Sequence, residues 1–484
     1  GTIRAAAVQA GTYEKLGYRL SVGRDQNQKW SDRNQLALRA HKFNVQTEYA
    51  LPGLSKLVFF GGLVDSNRFD GQVFDVVHEK STIANGYANV EYKRTDFFLR
   101  GNWIRWSENR QELMDLRLAP YVVFSDRNGN VNQVFKQDVY NFDGQHAVEF
   151  GASNRLTYGF NYRHNAVSLN VLDQFTRENR FGLYFQDEWR ATETLTVVAG
   201  GRWDLHSEIN PTYSPRLSLL YKPAQDHTFR LSGSVAYRPP NSLETHTSLL
   251  NQFPTFGPAF TLTVRGSPNL NAEKITSYEA GYQGWFLKHR LRFRADAFYN
   301  HISDFITGAA TPDLTVFTFS NTGKADIYGG EAGIEFLATT WLTGFANYST
   351  AQLWQSSDLI ASGGFLQRGA PPYKVSAGLR GEWDNGLSGE AALHHVAAAS
   401  YPVSFLFGVF ASIPPPLGGA GTFTAPDPRV GSYMLLNLRG AYQFWHERAE
   451  VAVAVFNALN DRHQENPVGE IIGSRVMGWL TIKY

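Results

Sequence analysis

The alternation that decides the fold is clearest in the stretch Arg155-Leu156-Thr157-Tyr158-Gly159-Phe160-Asn161-Tyr162-Arg163. Leucine and aromatic residues occupy every second position, and mostly polar residues stand between them. Successive side chains of a strand point to opposite faces, so this stretch predicts a strand with one apolar and one polar face. Residues 290–297 (RLRFRADA) repeat the pattern, with three arginines and an aspartate on the polar side.

This pattern recurs along the whole chain, and we count about 21 such segments without a helical interruption. A soluble sandwich would bury the apolar face, but here that face is rich in Tyr, Phe, Trp and Leu throughout. The pattern therefore predicts an all-β protein, a large antiparallel transmembrane β-barrel with a wet, charged lumen. Single-chain bacterial barrels usually have an even number of strands. We expect about 22 strands in the complete protein, the first of them upstream of Gly1.

Composition is consistent with one domain over residues 1–484, because no linker or change of periodicity divides the chain. The 45 Lys and Arg against 44 Asp and Glu give no nucleic-acid signature. No clean run of 18 apolar residues suggests a helical span. The chain has no cysteine, which fits an oxidising compartment crossed without disulfides.

The predicted connections alternate between short and long. Short ones include Thr192-Glu193 and Asn385-Gly386, and the long ones cover residues 110–142, 239–273, 356–371 and 400–431. Outer-membrane barrels combine tight periplasmic turns with long outer loops. We therefore expect the short turns to face the periplasm and the long loops to face the medium.

Several stretches, in order along residues 214–484, carry a family resemblance. They are Ser214-Pro215-Arg216, Ser234-Val235-Ala236-Tyr237-Arg238-Pro239-Pro240, Gly266-Ser267-Pro268-Asn269-Leu270-Asn271-Ala272-Glu273-Lys274, Asn321-Thr322-Gly323-Lys324-Ala325 and Val455-Phe456-Asn457-Ala458-Leu459-Asn460-Asp461. Together they resemble the barrel of a TonB-dependent outer-membrane receptor. The first 200 residues agree in pattern but lack such landmarks. The family's plug domain and TonB-binding box are not present in this sequence, and we expect them upstream. Tyr484 is either the family's terminal aromatic residue or a tyrosine two positions before it.

Polar rows on two predicted strands are candidate lumen-facing and plug-facing residues. They are Arg202, Asp204, His206, Arg290, Arg292, Arg294 and Asp296. A catalytic or metal site is the alternative for the first three, but charge that solvates a lumen or a plug explains them better. The resemblance adds His246 and Arg238 as candidate ligand-binding residues. Haem ligation by His246 is an alternative, although the motifs around it also occur in receptors for other ligands.

Three further features have competing interpretations. The stretch Asp126-Arg127-Asn128-Gly129-Asn130 resembles a calcium loop but lacks its glycine and glutamate spacing, so a β-hairpin turning at Asn128-Gly129 is the better interpretation. Residues 403–413 are mostly apolar for an outer loop, which either packs under its neighbours or contacts a partner or an apolar ligand. The adjacent His394 and His395 point to opposite strand faces and cannot chelate one metal as a simple pair.

No nucleophile elbow, phosphate loop or H-E-x-x-H motif occurs, so we expect neither an enzyme nor a metal site or cofactor. The resemblance implies a bacterial outer-membrane receptor that imports a scarce nutrient with energy from TonB, most often an iron–siderophore. Its expected partners are the plug domain, the TonB complex, the lipid bilayer with lipopolysaccharide, and a small metal chelate. The alternative is a receptor-derived structural or assembly subunit without transport activity, and a passive porin is third.

Overall fold

A computed structural model describes residues 2–27, 37–73, 77–114, 123–125, 132–253, 260–311, 315–356, 370–401, 427, 429–467 and 471–483. Most of these residues lie in strands. The strands are β1 Thr2–Tyr13, β2 Leu16–Asn27, β3 Ala37–Leu51, β4 Ser55–Val73, β5 Val77–Lys93, β6 Phe97–Met114, β7 Val123–Ser125, β8 Asn132–Phe150, β9 Asn154–Leu169, β10 Thr176–Arg190, β11 Leu195–His206, β12 Thr212–Ala224, β13 His227–Arg238, β14 Ser248–Phe253, β15 Phe260–Arg265, β16 Glu273–Phe286, β17 Leu291–Ala310, β18 Val316–Leu337, β19 Leu342–Ser356, β20 Tyr373–Glu382, β21 Leu387–Val396, β22 Ala399–Ser400, β23 Arg429–Val430, β24 Tyr433–Phe444, β25 Ala449–Phe456 and β26 Arg475–Ile482. One short helix, α1 (Ser242–His246), follows β13.

One sheet contains 24 of the described strands. Three of them, β7, β14 and β15, lie in connections, and the remaining 21 form an antiparallel meander in which each strand pairs with the next. The predicted number of readable strands is therefore confirmed. Among the described residues, no ladder joins β26 to β1. These two edge strands run in the same direction, because an odd number of antiparallel strands separates the edges.

The strand faces agree with the predicted alternation. In β9 and β10 the register pairs Phe160 with Leu183 and Tyr162 with Phe181, so the apolar residues of neighbouring strands share one face. No described part of the chain covers this face, and Phe185 on it is 59% exposed. Side chains of the opposite face instead bond to one another across strands, as Arg100 does with Asp143 at 3.3 Å.

Aromatic residues of the apolar face form two rows. One lies beside the short turns and includes Phe150, Trp189, Tyr221, Trp341 and Trp383, the last two with ring centroids 5.5 Å apart. The other includes Trp103, Tyr140, Tyr162, Trp203, Tyr213, Tyr278, Tyr299 and Tyr328. On β8 about ten residues separate the rows, which is roughly 25 Å along the axis of a barrel with ~40° tilt. That spacing matches the apolar band of outer-membrane barrels.

Connections at one end of the meander contain two to four residues, whereas the longest at the other end are 239–272 and 397–432. The predicted alternation of short and long connections is confirmed. Four of the short turns use non-glycine residues with positive φ, including Leu287, Lys288 and His289 in one turn. No helix of the described chain is long and apolar enough to cross a membrane.

Two predicted loops contain more strand than expected. The predicted loop 110–142 is shortened at both sides, because β6 continues to Met114 and β8 begins at Asn132. The predicted loop 239–273 contains α1 and the hairpin formed by β14 and β15. Both faces of residues 132–142 mix polar and apolar side chains, so alternation does not reveal that β8 begins this early.

The predicted hairpin around Asn128-Gly129 is wrong in its pairing. Residues 123–125 pair with residues 250–252 of β14, while β8 pairs with β6 from Asn132 and with β9 from Phe135. A long-range partner therefore replaces the local one, which local turn signals cannot reveal. The turn itself lies outside the described residues, as do residues 403–413 and Tyr484.

Candidate ligand-binding rim and lumen wall

Arg238 joins three elements at the long-loop end of the meander. Its Nε lies 2.5 Å from Glu273 Oε2 and its NH2 lies 2.6 Å from Glu273 Oε1. The same guanidinium donates to both carboxylate oxygens of Glu244 at 2.9 and 3.1 Å. The hydrogen bond to Glu273 is the main cause of a raised Arg238 pKa, so the cation is permanent. Arg238 thus ties the end of β13 to α1 and to the start of β16.

Glu273 is the buried member of this group, with 6% of its surface exposed. Its Oε1 also accepts the backbone N–H of Ile306 at 2.8 Å, beside an irregularity in the pairing of β17. A buried carboxylate is stable only when its oxygens are bonded and its charge is balanced. Glu273 therefore depends on Arg238. The sequence pattern alone does not single out Glu273, although Glu273 and Arg238 both stand in stretches that carry the family resemblance.

The helix α1 begins with a capping box. The side chain of Asn241 accepts the N–H groups of Leu243 and Glu244 at 2.9 and 3.0 Å, and Glu244 accepts the N–H of Asn241 at 2.8 Å. This arrangement satisfies the free N–H groups of a helix start. Glu244 is thereby fixed by its own cap as well as by Arg238, so a helix of five residues is held rigidly at the rim.

The segment that carries His246 is docked onto the loop between β9 and β10. The N–H of Asp173 donates to the His246 carbonyl at 2.9 Å, and the N–H of Ser248 donates to the Val171 carbonyl at 2.7 Å. His246 Nδ1 lies 2.7 Å from Thr245 Oγ1. The ring lines a cavity of about 20 Å³ together with Glu178. The structure therefore places Arg238 and His246 at opposite ends of α1, with different contacts.

The predicted row on β11 lies on the polar face and reaches this cavity through Glu178. Arg202 NH2 is 2.6 Å from Asp204 Oδ1. The Nε2 atom of His206 contacts Glu178, and its Nδ1 accepts the N–H of Glu208 at 3.1 Å. Burial acts to raise the pKa of Glu178, but the hydrogen bond from His206 and the charge of Arg180 outweigh it and lower that pKa. The sequence does not point to Glu178, because only its contacts with His206 and Arg180 in the folded protein distinguish it from other glutamates.

The predicted row on β17 divides into separate contacts. Arg292 forms an ion pair with Glu335 at 2.7 Å, and Asp296 forms one with Arg230 at 3.2 Å. Arg290 precedes the first residue of β17 and donates from Nε to the Leu337 carbonyl at 3.0 Å. It therefore fastens two neighbouring turns.

Arg294 and Asp296 line a recess of about 360 Å³ on the polar face between β17 and β21. The other acidic, basic or histidine residues of its lining are Glu331, Lys374, His394 and His395. His394 and His395 belong to opposite faces of β21, and the His395 ring packs 5.8 Å from that of Tyr373. Among the described residues, no group of three or more His, Cys, Asp or Glu side chains is placed to hold a metal ion. Because its lining carries both cationic and anionic side chains, the recess can bind polar or charged groups of another protein segment.

A second motif, which begins at Asn321 in β18, also holds the rim in place. The side-chain amide of Asn321 donates to the Asn271 carbonyl at 3.0 Å and to the Asp304 carbonyl at 2.6 Å, and its oxygen accepts the N–H of Asn271 at 2.8 Å. Stretches that lie 50 residues apart in sequence thus meet at the start of β16. Three of the stretches that carry the family resemblance, those around Arg238, Glu273 and Asn321, therefore build the rim.

A long antiparallel meander with an uncovered apolar face, two aromatic rows and a bonded polar face defines a transmembrane β-barrel protein. Residues 10–458 match the family described as TonB dependent receptor-like, beta-barrel. The chain belongs to this family.

Two relatives and one solved structure illustrate the likeness. The "Iron-regulated outer membrane virulence protein" of Vibrio cholerae is 23% identical over 54% of this chain and 40% of its own length. The "Probable TonB-dependent siderophore receptor PirA" of Acinetobacter baumannii is 26% identical over 44% of this chain and 30% of its own length. The structure of a ferric enterobactin receptor mutant of Pseudomonas aeruginosa in complex with enterobactin superposes with a TM-score of 0.75, at 14% identity, over 99% of this chain and 78% of that one. The chain therefore spans less than half the length of the two relatives, and the structural likeness shows the fold.

Proposed function

We propose that this chain is the barrel of a bacterial outer-membrane receptor that imports an iron–siderophore with energy transmitted by TonB. The observation that carries the proposal is the charged polar face, which runs from the short turns to the rim of a barrel of this family. The names of both relatives support iron as the cargo, since one is called an iron-regulated protein and the other a probable siderophore receptor. The apolar face lies in the outer membrane in this proposal.

The rim supplies the binding surface of the receptor. Arg238 and Glu273 hold α1 in place, and His246 contacts the ligand where its segment meets the loop between β9 and β10. Arg238 acts on the ligand indirectly, by positioning Glu244 and Glu273, because both edges of its guanidinium group already donate to these carboxylates. A rigid rim lowers the conformational cost of binding.

A plug domain packs against the polar face and blocks the lumen in this proposal. A barrel of about 22 strands is wide enough to need such a plug. The recess lined by Arg294, Asp296 and Lys374 presents both signs of charge to it. The pairs Arg202–Asp204 and Arg292–Glu335 keep the neighbouring wall neutral, so a plug can dock there without leaving an unpaired charge.

Transport of radioactive iron bound to a siderophore tests the proposal. The protein is expressed from its complete gene in a host without its own siderophore receptors, and ferric enterobactin is the first probe of a panel with catecholate and hydroxamate members. We expect uptake of at least one probe in the TonB-positive host and none in the TonB-deficient host.

The same measurement separates the other classes. Uptake without TonB indicates a passive porin. The absence of uptake for every probe, together with isolation of the protein in a stable complex, contradicts the proposal and supports a structural subunit.

A further inference from the structure

The lumen face of β5, β6 and β8 carries a patch of uncharged side chains in a wall that is charged elsewhere. Strand register places them in lines across the three strands, and two of these lines are Asn85, Trp106, Gln137 and Asn89, Asn102, Asn141. Tyr87 and Ile104 pair with each other in the line between them. All eight share the polar face of Arg100, which forms an ion pair with Asp143. We call these eight residues the amide patch.

The amide patch lies near the mouth of the lumen. Trp103, a member of the aromatic row nearer the long connections, lies next to Asn102 on the opposite face of β6. Trp106 lies three residues further toward the long connections, which is roughly 8 Å beyond that row at the strand tilt of such barrels. In the proposed receptor, a ligand that has passed the rim therefore meets this patch before it meets a plug at the level of the hydrocarbon.

The hydrogen-bonding groups of the amide patch are only partly paired. The amide of Asn141 donates to Asn102 Oδ1 at 2.7 Å. The Oδ1 atom of Asn85 and the Nδ2 atom of Asn89 have no hydrogen-bond partner among the described residues, and Asn89 is 3% exposed. An unpaired buried polar group costs free energy, and the last torsion of an asparagine side chain turns easily. The patch therefore offers an acceptor and a donor that a bound ligand can satisfy.

Exposed apolar side chains stand beside these amides. Trp106 is 42% exposed, and Ile104 beside it is 47% exposed. The hydroxyl of Tyr87 donates to Asn44 Oδ1 at 2.9 Å, and its ring lies 6.2 Å from that of Phe60, so the ring is held in place. Amides that both donate and accept, next to fixed rings, suit a ligand that presents amide-like groups and methylene groups without net charge.

The cations around the amide patch are mostly balanced by acids. Lys42 on β3 forms an ion pair with Asp25 on β2, and Arg110 on β6 lies 3.3 Å from Glu108. Arg163 borders the patch on β9 and donates from Nε to one of its asparagines at 2.7 Å, which adds a single positive charge. A charged ligand that leaves water needs opposite charges to pair with. A trianionic ferric catecholate would find too few of them here.

We propose that the amide patch binds the cargo of the receptor and selects an uncharged ferric tris-hydroxamate over an anionic ferric catecholate. Hydroxamate and peptide groups of such a chelate exchange hydrogen bonds with Asn85 and Asn89, and its methylene groups pack on Trp106 and Tyr87. The inference rests on the proposed siderophore uptake and adds the chemical class of the cargo to it.

Uptake of radioactive iron from two probes tests this selectivity. The probes are ferrichrome, a neutral ferric tris-hydroxamate, and ferric enterobactin, a trianionic ferric catecholate. The protein is expressed from its complete gene in a TonB-positive host without its own siderophore receptors. The measured quantity is the maximal uptake rate divided by the half-saturation concentration, and we expect the wild type to favour ferrichrome by about tenfold or more.

Substitutions in the amide patch connect this preference to its residues. Ile104→Lys adds a cation at the centre of the patch without removing a side-chain hydrogen bond, and we expect it to lower the preference for ferrichrome by about tenfold. Ile104→Gln is the neutral control and should keep the preference. Trp106→Ala should raise the half-saturation concentration for ferrichrome by about tenfold. Asn300→Ala, on the polar face of β17, should leave that concentration unchanged.

The possible outcomes separate this inference from the proposed transport. A wild type that prefers ferric enterobactin, or that imports only other chelates, overturns the inference and leaves TonB-driven uptake intact. Equal preferences of Ile104→Lys and Ile104→Gln also overturn it, because the patch would then contact the plug and not the cargo. The absence of uptake for every chelate contradicts the proposed transport itself, and the inference fails with it.

Discussion

At the scale of single residues, the group around Arg238 shows what sequence reasoning could and could not supply. The family resemblance selected Arg238, but it suggested a ligand contact. The structure gives this arginine two carboxylate partners, one of them 35 residues away in sequence, and its contact with a ligand stays a prediction. No local pattern encodes such a pairing, because Glu273 looks like any other acidic residue at the start of a strand.

Loss of the Glu273 charge should loosen the rim. Glu273→Gln removes the charge from a buried carboxylate that faces Arg238, and we expect the free energy of unfolding to fall by about 1–3 kcal/mol. Urea unfolding followed by tryptophan fluorescence measures this change. The control is Glu279→Gln on the same strand, whose side chain is 40% exposed and whose salt bridge to Arg230 contributes little. Equal effects of the two variants would contradict the special role of Glu273.

Glu178 predicts a dependence of stability on pH. Its pKa is lowered below 4.5 in the folded protein, mainly because its contacts with His206 and Arg180 outweigh burial. A depressed folded-state pKa gives stability that is present above the unfolded-state value and is lost as pH falls through the folded-state value. The difference in melting temperature between wild type and Glu178→Gln should therefore be largest near neutral pH and shrink in acid as the pH falls through the folded-state pKa of Glu178.

Thermal melting by circular dichroism from pH 3 to pH 8 checks this expectation. Glu188→Gln is the control, since Glu188 lies on the same face of β10, accepts a bond from Gln186 and forms no ion pair with any described residue. A difference between wild type and Glu178→Gln that stays constant with pH would sink the assignment.

At the scale of elements, alternation and turn spacing predicted the meander and the unequal connections correctly. They worked because a strand with one lipid-facing side has a strict period of two residues. They failed for β7 and β14, since Val123–Ser125 finds its partner in another connection. Pairing between distant loops depends on how the whole sheet curves, and this information is absent from any local window.

The turn that follows β25 has a conformational requirement of its own. Asn457 has a φ of 53° and is buried, and its side chain exchanges two hydrogen bonds with Asp461 at 2.9 and 3.0 Å. Asparagine tolerates this left-handed conformation better than most residues. Asn457→Ala loses the bonds and adds strain, whereas Asn457→Gly loses only the bonds.

We therefore expect Asn457→Ala to be less stable than Asn457→Gly by about 1 kcal/mol, and both to be less stable than the wild type. Urea midpoints of the three proteins at constant slope provide the comparison. The reverse order of alanine and glycine would show that backbone strain is not what selects asparagine here.

At the scale of the whole molecule, the sequence predicts which side chains share the polar face, but it does not predict which partner each of them contacts. Arg292, Arg294 and Asp296 share the expected face, yet each contacts a different neighbour. A period of two residues assigns a side chain to a face, whereas the residue opposite it depends on strand register. The recess between β17 and β21 could be found only from that register.

A barrel of this width without a plug should conduct ions. We expect the 484-residue chain, purified by itself and inserted into planar lipid bilayers, to give large and steady conductance steps. The protein from the complete gene should stay closed under the same conditions if a plug fills the lumen. Single-channel recording distinguishes the two, and a closed 484-residue chain would contradict an unobstructed polar lumen.

Under the proposed TonB-driven transport, the two aromatic rows have a mechanical consequence. Each ring of tyrosine and tryptophan resists leaving its own boundary layer, and the stacked Trp341 and Trp383 strengthen the row at the turns. A displacement of the barrel along the membrane normal would move one aromatic row into the hydrocarbon and the other into water. Traction from the periplasm is therefore expected to leave the wall stationary and to move only what the wall encloses.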